Sequence, residues 1–547
     1  MPNRVTRAST FIATFVLMLA ACGDRAHSPP ASEPAPLAAA VFEPVDLVFP
    51  SAAPLTATFR APNGATLTSL SFPQGGKQVV RLTATEPGLW SYSVSAGKRV
   101  LGTGTIRAVP AHTRGFVRTH GHALEYQTGE PFVAIGENRI NIYDPQWNWR
   151  ALSVHDYLAY MAAHGMTVLR VFIVSDVENE ETHGANAGVI EPTLGHFDEQ
   201  VARMFDGLFR DAQARGIYVV LVAFALGFSE NDDWKSWHDN PYSAERGGPA
   251  HTRFEFFDSP AVRERAAERL RYLAARYGPF PNLLAIDLLN EPEWDGAIPE
   301  VAWTAWAQEM AREWRRADPY GHAITLGSVG LHWNIEGDER AWWSSDACDI
   351  VQWHLYGPEV YDVHALASAV TRKVRETWSY GKPVLLGEFA YGGEAKPEYD
   401  HTHVGLWSAA FSGAGVLAHS APAFNIDSDE VMTPERARHY RVLKDILTPL
   451  ADATPGEARA SAGAAWTLLT QDAGAVWLLA PKERYRSTIS GTRVTVPSVG
   501  EGTWHVEWLD DVTGARVTAG NVEARSGQLE LTVPPYSRHI VARLTRR

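Results

Sequence analysis

Cysteine is nearly missing from this chain: there are two in 547 residues, Cys22 and Cys348. A scaffold framed by disulfides is therefore excluded, and the cores must be built by apolar packing. A basic excess is missing too. Against 49 Lys and Arg stand 63 Asp and Glu, a formal net charge of −14. That balance argues against nucleic acid or a polyanion as the main partner. No long low-complexity block interrupts the sequence, and the one concentrated apolar run, "FIATFVLMLAA", is shorter than a bilayer-spanning helix requires. No glycine-rich phosphate fingerprint follows the first strand of the central region, so a dinucleotide fold is disfavoured. The pairs "HGH" (His120, His122) and "HTH" (His401, His403) lack a carboxylate or Cys partner at ligand spacing. These histidines are expected to face solvent, and neither metal nor cofactor is expected.

What the chain does have is globular composition, 45% hydrophobic and 20% charged, over a length that implies two or three domains. Nineteen Trp supply large apolar surfaces, most of them expected in cores. The N-terminus carries Arg4 and Arg7, then the apolar run, then Cys22, which reads as an export signal. "LAAC" (Leu19 to Cys22) resembles the bacterial lipobox, whose Cys is diacylated and becomes the new N-terminus. The resemblance implies a signal peptide over 1–21, a lipid anchor at Cys22 as the membrane partner, and a Pro-rich tether over 22–42. Gly23 rather than Asp follows the Cys, which by the same resemblance favours the outer membrane of a Gram-negative host. Cys348 then remains as the sole unmodified thiol, with no internal disulfide possible.

Residues 43–112 alternate apolar and polar positions in short runs such as "LTATFRAP", "QVVRLTAT" and "LWSYSVSAG", the pattern of a small β-sandwich. From "GHALEYQTGEPFVAIGEN" onward the pattern becomes strand, then helix, repeatedly. The strands "TVLRVFIV", "IYVVLVAF", "LLAIDLL", "HAITLG", "DIVQWHLY", "PVLLGEF" and "GAGVLAH" are near-continuous apolar runs, as parallel strands covered on both faces should be. Counting "PFVAIG" as the first gives eight strand–helix units over roughly 310 residues, the rhythm of a (β/α)8 barrel. The barrel is expected over 113–452, and a second β-sandwich over 455–547, where alternation returns in "AVWLLAP", "TWHVEWLD" and "LELTVPP".

In such a barrel the working groups stand at the C-terminal ends of the strands. Reading those ends gives Glu137 and Asn138, Arg170, Asn290 and Glu291, His354 and Tyr356, and Glu388. The run "AIDLLNEPEW" shows the point most sharply: an apolar strand stops on an amide, a carboxylate and a residue that cannot continue the ladder. Glu291 and Glu388, three βα units apart, face each other across the mouth. Two opposed carboxyls are the minimal apparatus for hydrolysing a glycosidic bond. Arg170 inside an apolar strand needs a carboxylate, and a buried ion pair with Glu388 would satisfy both. His354 and Tyr356 point the same way in the pleat.

"LLNEPEW", "QWHLYG" and "PVLLGEF" resemble the signature strands of clan A glycoside hydrolases, most nearly the family 5 cellulase and mannanase group, over about residues 115–450. The preceding sandwich, with "EPGLWSYSV" and "RGFVRT", is similar to a domain often found ahead of such barrels. The resemblance implies a retaining hydrolase of a neutral glucan- or mannan-type carbohydrate. Glu291 would be the acid/base and Glu388 the nucleophile. Asn290 would bond the sugar 2-hydroxyl, Tyr356 would bond Glu388, and Arg170 and His354 would support the nucleophile. Apart from the resemblance, Trp294, Trp147, Trp149, Trp234 and Trp237 fall in predicted loops, where each either stacks on a sugar face at a further subsite or packs the loop. One departure is plain: where the family often ends its eighth strand on Trp, this chain reads "GVLAHSAPAFN", offering His419 and Phe424. A reading from another class is a non-catalytic, glycan-binding surface lipoprotein on a glycosidase-like barrel; its decay should have erased one carboxylate early, yet both stand.

Overall fold

The computed structural model describes residues 37–139, 153–173, 190–225, 237–295, 297–332, 335–336, 339–357, 361–389, 399–419 and 434–547. Cys22, Trp147, Trp149, Trp234 and Phe424 lie outside the described residues, as do the side chains of Trp294 and His419. The chain forms two compact units, Met1–Ala111 and His112–Arg547.

The first unit is a β-sandwich. One sheet has five strands and the other three, and Ala57, Phe59, Val80, Leu82, Trp90 and Ile106 fill the space between them. Its first strand, Leu37–Ala40, falls inside the stretch expected to be tether and pairs in parallel with Ile106–Val109. Ala39 and Val41 enter the core, so the sandwich starts at Leu37 rather than at residue 43. The run "LAAA" is too short and too plain for periodicity to reveal it; only its partner strand makes it a strand.

The second unit opens with a hairpin, Val117–His120 and Ala123–Tyr126. Eight parallel strands follow: β1 (Ile135–Arg139), β2 (Val168–Phe172), β3 (Tyr218–Val222), β4 (Leu283–Asn290), β5 (Ala323–His332), β6 (Val351–Leu355), β7 (Val384–Phe389) and β8 (Gly415–His419). Each pairs with the next, and β8 pairs back with β1, so the sheet closes into a barrel. Helices follow the strands: α1 (Val154–Ala163), α2 (Glu199–Ala214), α3 (Pro260–Tyr277), α4 (Glu300–Ala317), the single turn α5 (Arg340–Trp343), α6 (Val363–Trp378), α7 (Asp400–Phe411) and α8 (Pro434–Leu447). Their starts are written locally. Ser153, Asp198 and Asp362 each accept backbone N–H bonds of the first turn, caps of about 1 kcal/mol each. The hairpin plugs the end where the strands begin, with Val117, Tyr126 and Phe132 packing on Val168, Tyr218, Val220, Leu284 and Leu417. The opposite end, where strands finish, is left to the polar groups.

Residues 454–546 form eight strands that fold over on themselves around Val476, Leu478, Val494, Trp504, Val506, Leu529 and Leu544. This C-terminal sandwich joins the barrel through charge as well as packing. Asp400 at the start of α7 takes Arg486 and Arg538 of the sandwich. Beside it, His403 is fully buried, not solvent-facing as the sequence suggested. Its Nε2 stands 3.2 Å from Asp511, whose other oxygen lies 2.6 Å from His539 Nδ1, and Trp477 Nε1 donates to Asp511 at 2.8 Å. His439 of α8 meets His403 Nδ1 at 2.8 Å. The partner "HTH" lacked in sequence lies more than a hundred residues away, so no local spacing could reveal it. Of the other pair, His120 is exposed and bonded to Glu125, whereas His122 stacks on Trp378.

This seam titrates. Burial, then the neighbouring His539, lowers the His403 pKa to about 4, and Asp511, despite its burial, is lowered by His539 and His403. An unfolded histidine titrates near 6.5. Unfolding therefore takes up protons between those two values, and stability must fall as pH drops through that window. Asp511 adds stability that is present above about pH 3.9 and is lost below it. We expect the urea midpoint of unit 2 to fall between pH 6.5 and about 4, less steeply in His403→Gln. A midpoint constant across this window would refute the coupling.

Candidate active site

The site grows from one side chain. Arg170 of β2 is fully buried, and all five of its N–H groups are spent. Nε and Nη2 donate to Asp287 Oδ2 at 2.9 and 2.8 Å, and Nη2 also donates to Asn290 Oδ1 at 2.6 Å. Nη1 donates to Asn138 Oδ1 at 2.8 Å and to Glu388 Oε1. Burial alone would lower its pKa, but the carboxylates of Asp287 and Glu388 outweigh that and raise it. The cation is locked on. Backbone has to make room for it: a Cβ on Gly327 would meet Arg170 Nη2 at 2.6 Å, so β5 passes here as glycine.

Asp287 is held in turn by Gln352 Nε2 at 2.6 Å and by the Gly327 amide at 2.9 Å. Neither Asp287 nor Gln352 stood out in the sequence. Strict alternation would put Asp287 and Asn290 on opposite faces of β4. The strand instead slips register between them, and both reach Arg170. An acid inside an apolar strand was the available signal, since such a group must have a partner.

Glu388 of β7 has one oxygen on Arg170 and the other on Tyr356, whose hydroxyl donates at 2.7 Å. Burial first, then the charge of Glu388, raises the Tyr356 pKa well above 10, so the phenol remains a donor. Glu291 sits across from it, just past the end of β4, in left-handed backbone at φ 49°. Its amide donates to Gly327 O at 2.6 Å, which holds a conformation that costs a non-glycine residue of order 1–3 kcal/mol. His354 departs from its expected role. Its Nδ1 lies 2.6 Å from Glu291 and 3.9 Å from Glu388, so it serves the first glutamate rather than the second. Glu137 leaves the site altogether, turning outward to Arg436 and Tyr440 of α8, while its neighbour Asn138 points in. Trp294 lies in the short 3-10 turn Pro292–Asp295. Trp237, a stacking candidate, is buried.

One atom each of Glu291, His354 and Glu388 lie within 4.8 Å of one another, and the same holds for His403, Asp511 and His539. Both sets read as hydrogen-bonded clusters. Each carboxylate already accepts N–H or O–H donors from the protein at both oxygens or from a ring nitrogen.

Residues 127–414, more than half the chain, match the cellulase model of glycosyl hydrolase family 5. The probable mannan endo-1,4-beta-mannosidase C of Aspergillus terreus is 26% identical over 260 residues, 43% of this chain and 60% of that one. Mannan endo-1,4-beta-mannosidase 7 of Arabidopsis thaliana is 25% identical over 230 residues, 40% of this chain and 50% of its own length. The chain thus spans about half the length of the curated relatives it matches. A solved protein of Bacteroides vulgatus ATCC 8482 aligns over 93% of this chain and 100% of its own, with a TM-score of 0.67 at 16% identity. A glycoside hydrolase family 5 structure from the same organism covers 79% of this chain and 94% of its own, with a TM-score of 0.55 at 15% identity. At these identities the likeness is one of fold.

Asp287 takes two of the five Arg170 bonds, so Asp287→Ala leaves a sealed guanidinium short of a counter-charge. Breaking one half of a buried pair costs about 3–5 kcal/mol. We expect a loss of that order in urea denaturation, and a smaller one in Asp287→Asn. Equal stability of the wild type and Asp287→Ala would show that Arg170 is held without it.

Proposed function

The chain belongs to glycosyl hydrolase family 5, and we propose that it cleaves β-linked, mannan-type polysaccharide with retention of anomeric configuration. The observation that carries this reading is the spacing of Glu291 and Glu388, which offer oxygens within 4.8 Å of each other. Retaining enzymes hold their carboxyls about 5–5.5 Å apart, while inverting ones leave about 6.5–9.5 Å for a water. Glu388 attacks the anomeric carbon. Arg170 and Tyr356 fix both of its oxygens, so the carboxylate is oriented before the substrate arrives. Glu291 protonates the departing oxygen, then takes a proton from the water that releases the sugar. His354 orients it through the 2.6 Å bond. Asn290, with Oδ1 held by Arg170, has its amide N–H groups to offer the 2-hydroxyl. Mannan is favoured among neutral glycans because the curated relatives carry that substrate in their names. The "LAAC" run supports an exported protein anchored through Cys22.

Two tests bear on this. Glu388→Ala should lose turnover on every substrate, since the atom that bonds the sugar is gone. Glu291→Ala should lose about 10²–10⁴-fold on mannan, yet still release a burst of phenol from aryl glycosides with acidic leaving groups. Substantial turnover by Glu388→Ala, or identical behaviour of the two variants, would overturn the roles; activity on xylan or glucan but not mannan would overturn the substrate. For the anchor, cells expressing the full chain should incorporate labelled palmitate, and Cys22→Ser should not; label retained in the variant would refute it.

A further inference from the structure

Two residues beyond Glu291 lies a second buried carboxyl. Glu293 sits in the turn Pro292–Asp295 and points back toward β5. There the ladder between β5 and β6 slips register from Ser328 to Leu331, and Gly330 adopts φ 62°. A Cβ on Gly330 would stand 2.5 Å from His354 O, so this irregularity lies against the residue that bonds Glu291. The amides it frees need acceptors. Val329 N donates to Glu293 Oε2 at 3.3 Å, and Gly330 N donates to Glu339 Oε1 at 3.2 Å.

Between the two carboxyls stands Ser328, fully buried, its Oγ 3.1 Å from Glu293 Oε1 and 2.7 Å from Glu339 Oε1. A hydroxyl has one proton to give. Both contacts are hydrogen bonds only if one carboxyl keeps its own proton and donates to Ser328. Lys373 of α6 favours the charged form of Glu339, so the hydroxyl proton goes to that contact and Glu293 is the acid. Its charged neighbours agree. Glu339, just ahead of α5, repels a second anion; burial raises the Glu339 pKa as well, but Lys373 of α6 opposes that rise. Among the described residues no cation bonds Glu293. Burial first, then Glu339, pushes the Glu293 pKa up to about 8.

We propose that Glu293 is a positioning residue for Glu291, its protonated carboxyl holding the left-handed turn against β5 so that the acid/base faces the scissile bond. The inference rests on the role proposed above for Glu291. Loss of the Glu293 proton sets two anions side by side in a dry pocket and breaks the bond to Ser328, so the turn is released as pH rises through about 8. Glutamine can replace the acid, since its amide donates to Ser328 and its carbonyl accepts from Val329 without titrating.

The experiment follows kcat and KM against pH for wild type, Glu293→Gln and Glu293→Ala. Each is measured on mannan and on an aryl mannoside with an acidic phenol. We expect the wild-type kcat on mannan to fall above about pH 8 and that limb to move at least one pH unit higher in Glu293→Gln. Glu293→Ala should lose about tenfold or more in kcat on mannan with little change in KM, while the phenol burst is kept, because only the poor leaving group needs a well-aimed acid. An infrared carboxylic-acid band that titrates near pH 8 in wild type and is missing from Glu293→Gln reads the proton itself, whether or not the protein is active. An unmoved alkaline limb in Glu293→Gln, the lack of such a band, or equal losses on both substrates would overturn the proposal. A wild type that cleaves neither substrate while showing the band would instead sink the proposed function.

Discussion

A guanidinium sealed inside a barrel cannot give up its proton, so everything around Arg170 has to answer its charge and its five N–H groups. Four residues from three other strands do so: Asn138, Asp287, Asn290 and Glu388. Because the guanidinium is planar and rigid, satisfying it fixes their relative positions. The same bonds that neutralise the charge hold Glu388 facing the mouth and turn the Asn290 amide. Gly327 belongs to this constraint, since any side chain there would collide with Arg170.

A second level of organisation surrounds this centre. Strands β4 and β5 both leave regular pairing near the site, and each irregularity frees backbone groups that buried carboxyls satisfy. Asp287 takes the Gly327 amide, Glu293 that of Val329, and Glu339 that of Gly330. Glu291 is thus mounted on strained backbone braced by buried acids, a common arrangement where geometry must be held tightly. The seam with the C-terminal sandwich uses similar chemistry away from the site, where His403 and His539 converge on Asp511 and His439 meets His403.

Much of the barrel was legible because its strands and helices advertise themselves locally. Apolar runs of strand length and the regular recurrence of the strand–helix unit both point to one architecture. Glu291 and Glu388 were legible for the same reason, as acids closing apolar strands. Harder to see was anything that depended on register. Asp287 did not stand out, because only the slip in β4 brings it beside Asn290. His354 was expected beside Glu388 but bonds Glu291, because side-chain direction within a pleat does not say which of two neighbours is nearer.

The sequence by itself determined the eight-fold strand–helix rhythm, the flanking β-rich regions and the two carboxyls at strand ends, since each follows from periodicity and from the cost of burying charge. Tertiary structure decided the rest: that Leu37–Ala40 is a strand, that His403 is buried against a residue over a hundred positions away, and that Glu293 and Glu339 share one serine. Those facts rest on contacts between distant segments. Such a contact is fixed by which backbone slips and which side chain fills the gap, and no local pattern of residues carries that information.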